Sequence, residues 1–110
     1  MSTSRFFYAF FADKPKATLH PETQTKTEGD NVTLSCVADG NPVPTISWTK
    51  DGSSIDTSNN SKISFSANKT QLSITNVKRT NSGEYRCVAR NSLGNVTSNV
   101  TTLIVQCKLL

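Results

Sequence analysis

Tyr85 and Cys87 stand two residues apart, just after the turn-forming run Thr80-Asn81-Ser82-Gly83-Glu84. Side chains two apart on a strand share a face. An extended Gly83 to Arg90 therefore aims Tyr85, Cys87 and Ala89 inward and Arg86, Val88 and Arg90 outward. Upstream, Val32, Leu34, Cys36 and Ala38 share one parity over Asn31 to Ala38, while Thr33, Ser35 and Val37 take the other. Ile46 and Trp48 point inward over Thr45 to Lys50, with Thr45, Ser47 and Thr49 outward. Each segment has the pattern of a half-buried strand.

The rest of the chain keeps this rhythm. Pro15 and Pro21 restrict the first segment to an irregular edge strand around Ala17 to His20. Thr23 to Glu28 reads as its continuation on the other sheet. Asp39-Gly40-Asn41-Pro42 breaks the strand before it, and Asp51-Gly52 is a tight turn. Ser53 to Ser61 reads as a loop with at most a short edge strand. Ile63 with Phe65, and Leu72 with Ile74, mark two short strands around a turn at Asn68-Lys69. Asn76 to Ser82 reads as a tight helical turn anchored by Val77, and Asn91 to Gly94 as a hairpin connection. In the last strand, Val96 to Gln106, the parity changes: Val96, Val100 and Ile104 fit one face, Leu103 and Val105 the other. That predicts a bulge or a switch of packing midway. Strands every 8–12 residues with turn chemistry between them argue an all-β, two-sheet antiparallel sandwich.

A chain of 110 residues is one domain. The net charge of +4 is spread along it, which predicts a mildly basic surface and no nucleic-acid footprint. No stretch approaches the ~20 apolar residues of a membrane span. Three Cys, in an oxidising compartment, predict one bridge and one leftover thiol. His20 is the single histidine, beside Pro21 in an edge segment, and no Cys/His spacing suits zinc and no acidic run suits calcium. The sequence therefore predicts no catalytic site, no metal site and no cofactor.

Met1 to Ala12 holds one Arg and the apolar run Phe6 to Ala12, in outline a signal-like segment. That run is at the lower limit of a ~7–15 residue apolar core, and Phe10 and Ala12 fit a small-x-small cleavage site poorly. A flexible tail is the reading adopted for residues 1–12, a folded domain for 13–106 and a stub for 107–110. Cys107 reads either as a free thiol or as a bridge to another chain or neighbouring domain.

Sequons for N-linked glycosylation occur at Asn31, Asn59, Asn68, Asn95 and Asn99. A chain this rich in Asn, Ser and Thr would show about half that number by chance. Asn59, Asn68 and Asn95 fall in expected loops, and Asn31 begins a strand with its side chain outward. These four are the glycosylation candidates. Asn99 shares parity with Leu103 and is expected to be too buried.

The spaced residues Gly29-x-x-Val32-x-Leu34-x-Cys36-x-Ala38, Gly40-Asn41-Pro42-x-Pro44-x-Ile46-x-Trp48 and Lys50-Asp51-Gly52 occur in order along the chain. They are followed by Leu72-x-Ile74-x-x-Val77, Asn81-x-Gly83-x-Tyr85-x-Cys87, Asn91-x-x-Gly94 and Leu103-x-Val105. Together they resemble the I-set immunoglobulin-like domain, from about Pro15 to Val105. The resemblance implies a Greek-key sandwich, a Cys36–Cys87 bridge, Trp48 packed on it, and a tyrosine corner in which the Tyr85 hydroxyl bonds back to upstream backbone. The family usually carries Asp at the position of Asn81, paired with a basic residue for which Lys62 is the candidate. Asn81 cannot form that ion pair, a loss of only ~0–1 kcal/mol if exposed.

What the resemblance implies for function is protein–protein recognition in an extracellular adhesion or receptor-type glycoprotein, homophilic or heterophilic. The expected partner face is the family's C–F–G face, formed here by Thr45 to Lys50 (C), Gly83 to Arg90 (F) and Val96 to Gln106 (G), with Arg86, Val88 and Arg90 on it, and neighbouring immunoglobulin-like modules are expected in the parent chain. Two other readings are an intracellular structural spacer, as in giant muscle proteins, and a growth-factor-receptor-like module that binds ligand or heparin. Lys78 and Arg79 make a further basic spot too small to imply heparin binding.

Overall fold

The computed structural model describes residues 12–55 and 62–108. Asn59, and the tail or signal reading of residues 1–11, lie outside the described residues.

Two sheets face each other. One has the order β1 (Asp13–His20), β3 (Val32–Asn41), β7 (Gln71–Ile74), β6 (Ile63–Phe65). The other has the order β2 (Thr23–Thr27), β10 (Thr101–Gln106), β8 (Gly83–Asn91), β4 (Thr45–Lys50), β5 (Ser53–Ser54), with β9 (Gly94–Thr97) also on β8. Among the described residues all pairings are antiparallel but one: β2 runs parallel to β10, from Thr23 beside Thr102 to Thr27 beside Gln106. The chain thus leaves the first sheet after His20 and joins the second at Thr23. The helical turn is a single 3-10 turn at Arg79–Asn81.

The alternation seen in the sequence fills the space between the sheets. Leu19, Leu34, Leu72, Val77, Tyr85, Cys87, Ala89 and Leu103 are buried there, and Val37 on the opposite parity of β3 is exposed. The Cys36–Cys87 disulfide joins β3 to β8 across the core, with Cα atoms 6.3 Å apart and a sequence separation of 51. Closing a loop of that length contributes ~4 kcal/mol by the chain-entropy model, a large share of the ~5–15 kcal/mol typical of a whole domain. Trp48 lies opposite Cys87 in the β4–β8 ladder. It is buried, stacks on Phe65 with ring centroids 6.4 Å apart, and donates its indole N–H to the Lys69 carbonyl at 2.6 Å. The indole thereby meets both demands of a buried Trp, apolar contact and a partner for its N–H.

Three expectations need correction. The first strand is longer than Ala17 to His20, because Pro15 sits where the β1–β3 register shifts, between Asp13 and Lys16. The ladder there does not require the N–H that proline lacks. The third strand does not break at Asp39 but runs to Asn41 beside Asp13. Gly40, at φ +152°, lets the strands close up: a Cβ there would lie 3.0 Å from Pro15 Cα. Asn99, finally, is exposed and not buried.

The reason lies in a bulge. Val88 pairs with Thr97, and Tyr85 with Thr101, so two residues of β8, Arg86 and Cys87, face three, Ser98 to Val100. The extra residue flips the parity between β9 and β10. Ser98 takes over part of the ladder, with its N–H donating to Cys87 O at 2.8 Å and its hydroxyl accepting from Cys87 N–H at 3.0 Å. Asn99 is turned toward the first sheet, where its carboxamide accepts from Leu19 N–H at 2.8 Å and donates to Leu19 O at 3.0 Å. The Thr101 hydroxyl donates to Pro21 O, and Thr102 N–H to Glu22 O at 3.1 Å. These bonds hold the crossing of the chain from β1 to β2.

Candidate functional site

Strand β8 lies in the middle of the larger sheet, and its outward row is Arg86, Val88 and Arg90. On β4, Thr49, Ser47 and Thr45 stand opposite these three in turn. On the other side, Thr97 of β9 pairs with Val88 and Asn95 with Arg90. Arg90 is exposed, while Arg86 and Val88 are half-buried among their neighbours. The Cα atoms of Arg86 and Arg90 are separated by four strand steps, about 14 Å. Two guanidinium groups thus flank one apolar side chain in a field of hydroxyls. Such a surface offers planar charged donors to carboxylates and an apolar contact between them.

The corner below this strand is fixed by hydrogen bonds. The Tyr85 hydroxyl donates to Asn81 O at 2.6 Å. Burial, and secondarily the negative charge of Asp51, push the Tyr85 phenol from 10.0 up to about 12. The Asn81 carboxamide accepts from Lys78 N–H at 2.8 Å, so it serves the 3-10 turn. Asp51 closes the β4–β8 end: its N–H donates to Glu84 O at 2.8 Å and its carboxylate accepts from Glu84 N–H at 2.9 Å. At the opposite end the Asn91 amide donates to Asp13 O at 2.8 Å and Pro42 O at 3.1 Å, joining the first strand, one loop and the β8–β9 hairpin.

The remaining candidates are scattered. Asn31 is exposed just before β3, and its side-chain oxygen accepts from Asn76 N–H at 3.0 Å. Asn68 is exposed in the turn between β6 and β7, its oxygen accepting from Ser66 Oγ at 3.0 Å and Thr70 Oγ1 at 2.8 Å. Asn95 is exposed in β9 rather than in a loop. Cys107 is an exposed free thiol and His20 is exposed on β1. Among the described residues no three His, Cys, Asp or Glu side chains gather as a metal site, and no helix is long and apolar enough to cross a membrane. Sequence reasoning missed the bridging carboxamides of Asn91 and Asn99. The parity change before Leu103 was the one signal that pointed near Asn99.

A two-sheet sandwich with this stapled core is an immunoglobulin-like domain, and the family model for the immunoglobulin I-set domain matches residues 15–105. The chain belongs to that family. It is similar to human neural cell adhesion molecule 1, at 44% identity over 71 residues, 64% of this chain and 8% of that protein. Among solved structures, the N-terminal Ig1-2 module of the Drosophila receptor protein tyrosine phosphatase DLAR is 36% identical with a TM-score of 0.78, covering 86% of this chain and 47% of that one. Titin domains z1z2, solved in complex with telethonin, are 34% identical with a TM-score of 0.74, covering 88% and 50%. The chain thus corresponds to less than a tenth of the length of the adhesion molecule it resembles.

Proposed function

We propose that residues 13–106 form a non-catalytic recognition module of an extracellular adhesion or receptor-type protein, one of several modules in its parent chain. The module presents Arg86, Val88 and Arg90, with the hydroxyls of β4, to a protein partner. The supporting observation is the placement of that row on the central strand of the larger sheet, in register with Thr45, Ser47 and Thr49. Arg is among the residues enriched at interfaces and binding hot spots.

The test is display of the chain on eukaryotic cells, scored for binding to a second copy and to an array of ectodomains. The double change Arg86→Glu/Arg90→Glu is expected to lose about 2 kcal/mol or more of binding, roughly thirtyfold in affinity, with the melting temperature unchanged. Binding that survives the double change moves recognition to another surface. The likeness to titin domains supports a second reading, an intracellular spacer. Labelling with a thiol reagent separates the two: Cys107 alone reacts in the extracellular module, whereas Cys36 and Cys87 also react where the compartment keeps thiols reduced.

A further inference from the structure

The tripeptide Asn-Val-Thr occurs three times, at 31–33, 95–97 and 99–101. As sequence the three are the same glycan-acceptor signal. Their folded surroundings are not the same. Asn31 and Asn95 are exposed, and no hydrogen bond of the Asn95 carboxamide is found among the described residues. The Asn99 carboxamide instead grips both backbone groups of Leu19. Its orientation is dictated by Leu19, whose N–H needs an acceptor and whose carbonyl needs a donor.

The chemistry of transfer separates the sites. Asparagine Nδ2 attacks the anomeric carbon of an oligosaccharide carried on a lipid pyrophosphate. The bond from that carbon to the pyrophosphate oxygen breaks, the lipid pyrophosphate leaves with the electron pair, and one Nδ2 proton is released. The product is a secondary amide, which prefers trans as a peptide bond does. The sugar carbon therefore lies on the same side as Oδ1, and the remaining hydrogen points away. At Asn99 that side is already taken: Oδ1 accepts from Leu19 N–H, so the hydrogen beside Oδ1 is the one that reaches Leu19 O. A sugar there displaces the donor and opens the crossing from β1 to β2. At Asn95 the same substitution removes no hydrogen bond among the described residues.

Resting on the extracellular reading above, we propose that Asn95 carries an N-linked glycan at the edge of the recognition face, and that Asn99 is kept bare by its grip on Leu19. Asn95 stands opposite Arg90 in the β8–β9 ladder, so the sugar limits access to that end of the face.

The test uses the full chain secreted from eukaryotic cells behind a heterologous leader. Enzymatic release of N-glycans in heavy-oxygen water leaves each former acceptor as a heavy Asp, read by peptide mass spectrometry. The mark is expected at Asn95 and absent at Asn99. In an Asn95→Gln variant Asn99 is expected to stay unmarked, which separates the Leu19 grip from simple competition between neighbouring sequons. A mark on Asn99 in either protein overturns the grip. Asn95 unmarked while Asn31 or Asn68 is marked overturns the acceptor assignment alone. No mark anywhere, with Cys36 and Cys87 reactive to thiol reagents, overturns the extracellular reading and this proposal together. An arginine-specific reagent reads the shielding: Arg90 is expected to react several-fold more slowly in the glycosylated chain than in Asn95→Gln, with Arg79 unchanged. Equal rates at Arg90 overturn the shield.

Discussion

Tyr85 shows at the residue scale how one side chain serves two ends. Its ring fills the core while its hydroxyl satisfies Asn81 O at the corner. Tyr85→Phe leaves that carbonyl without its donor, which costs ~1–3 kcal/mol. The phenol also sets a pH limit. Its folded pKa, about 12, lies above the ordinary value of 10.0. The stabilisation it gives is therefore complete below pH 10 and is lost as pH rises through 12. Urea melts are expected to show a constant gap between wild type and Tyr85→Phe from neutral pH to about 10, closing toward 12. A gap that persists undiminished at pH 12 would contradict this. The difference in near-UV tyrosinate absorbance between the two proteins reports the same ionisation.

At the scale of elements, the alternation that makes β3, β4 and β8 legible is strict because both sheets bury one face. A one-residue slip of any one of these strands would turn out its whole inward set: Leu34 with Cys36, Ile46 with Trp48, or Tyr85 with Cys87. The same clarity fails wherever the chain crosses between sheets. Pro15 argues against a strand that a register shift makes possible, and Gly40 has the look of a breaker although it permits close approach. Extending the parity of Leu103 back to Asn99 turns that side chain inward, but the bulge resets the parity on the way. The partner strand decides each of these cases, and a single strand's sequence does not carry it. Gly40→Ala tests one such approach. Its φ of +152° strains any side chain, and the nearest atom a Cβ would meet, Pro15 Cα at 3.0 Å, is backbone, so a cost of ~1–3 kcal/mol is expected. Hydrogen exchange should then quicken along Lys16 to Thr18 on β1 and stay slow along β4 and β8. Uniform protection would show that the edge absorbs the methyl group.

For the whole molecule, the family was legible because its marks run along nearly the whole chain, each tied to a core or turn requirement. The proposed recognition face was not legible in the same way. Arg86, Val88 and Arg90 lie on the outward side of β8, where core packing does not constrain their identity. The proposed glycan placement rests on the third dimension as well, since identical tripeptides at Asn95 and Asn99 differ in what their amides already hold.

The parallel pairing of β2 with β10 has a mechanical meaning. A pull on the chain from its two sides draws β2 backward and β10 forward along a common axis, so five residue pairs, Thr23–Thr102 to Thr27–Gln106, bear the load in shear together. They cannot unzip one at a time. Beyond that latch the Cys36–Cys87 bridge withholds the chain between its ends from extension. Stretched as a linear array, each module is expected to yield in one abrupt step whose length grows when the bridge is reduced. A gradual, low-force lengthening would show that the latch carries no load.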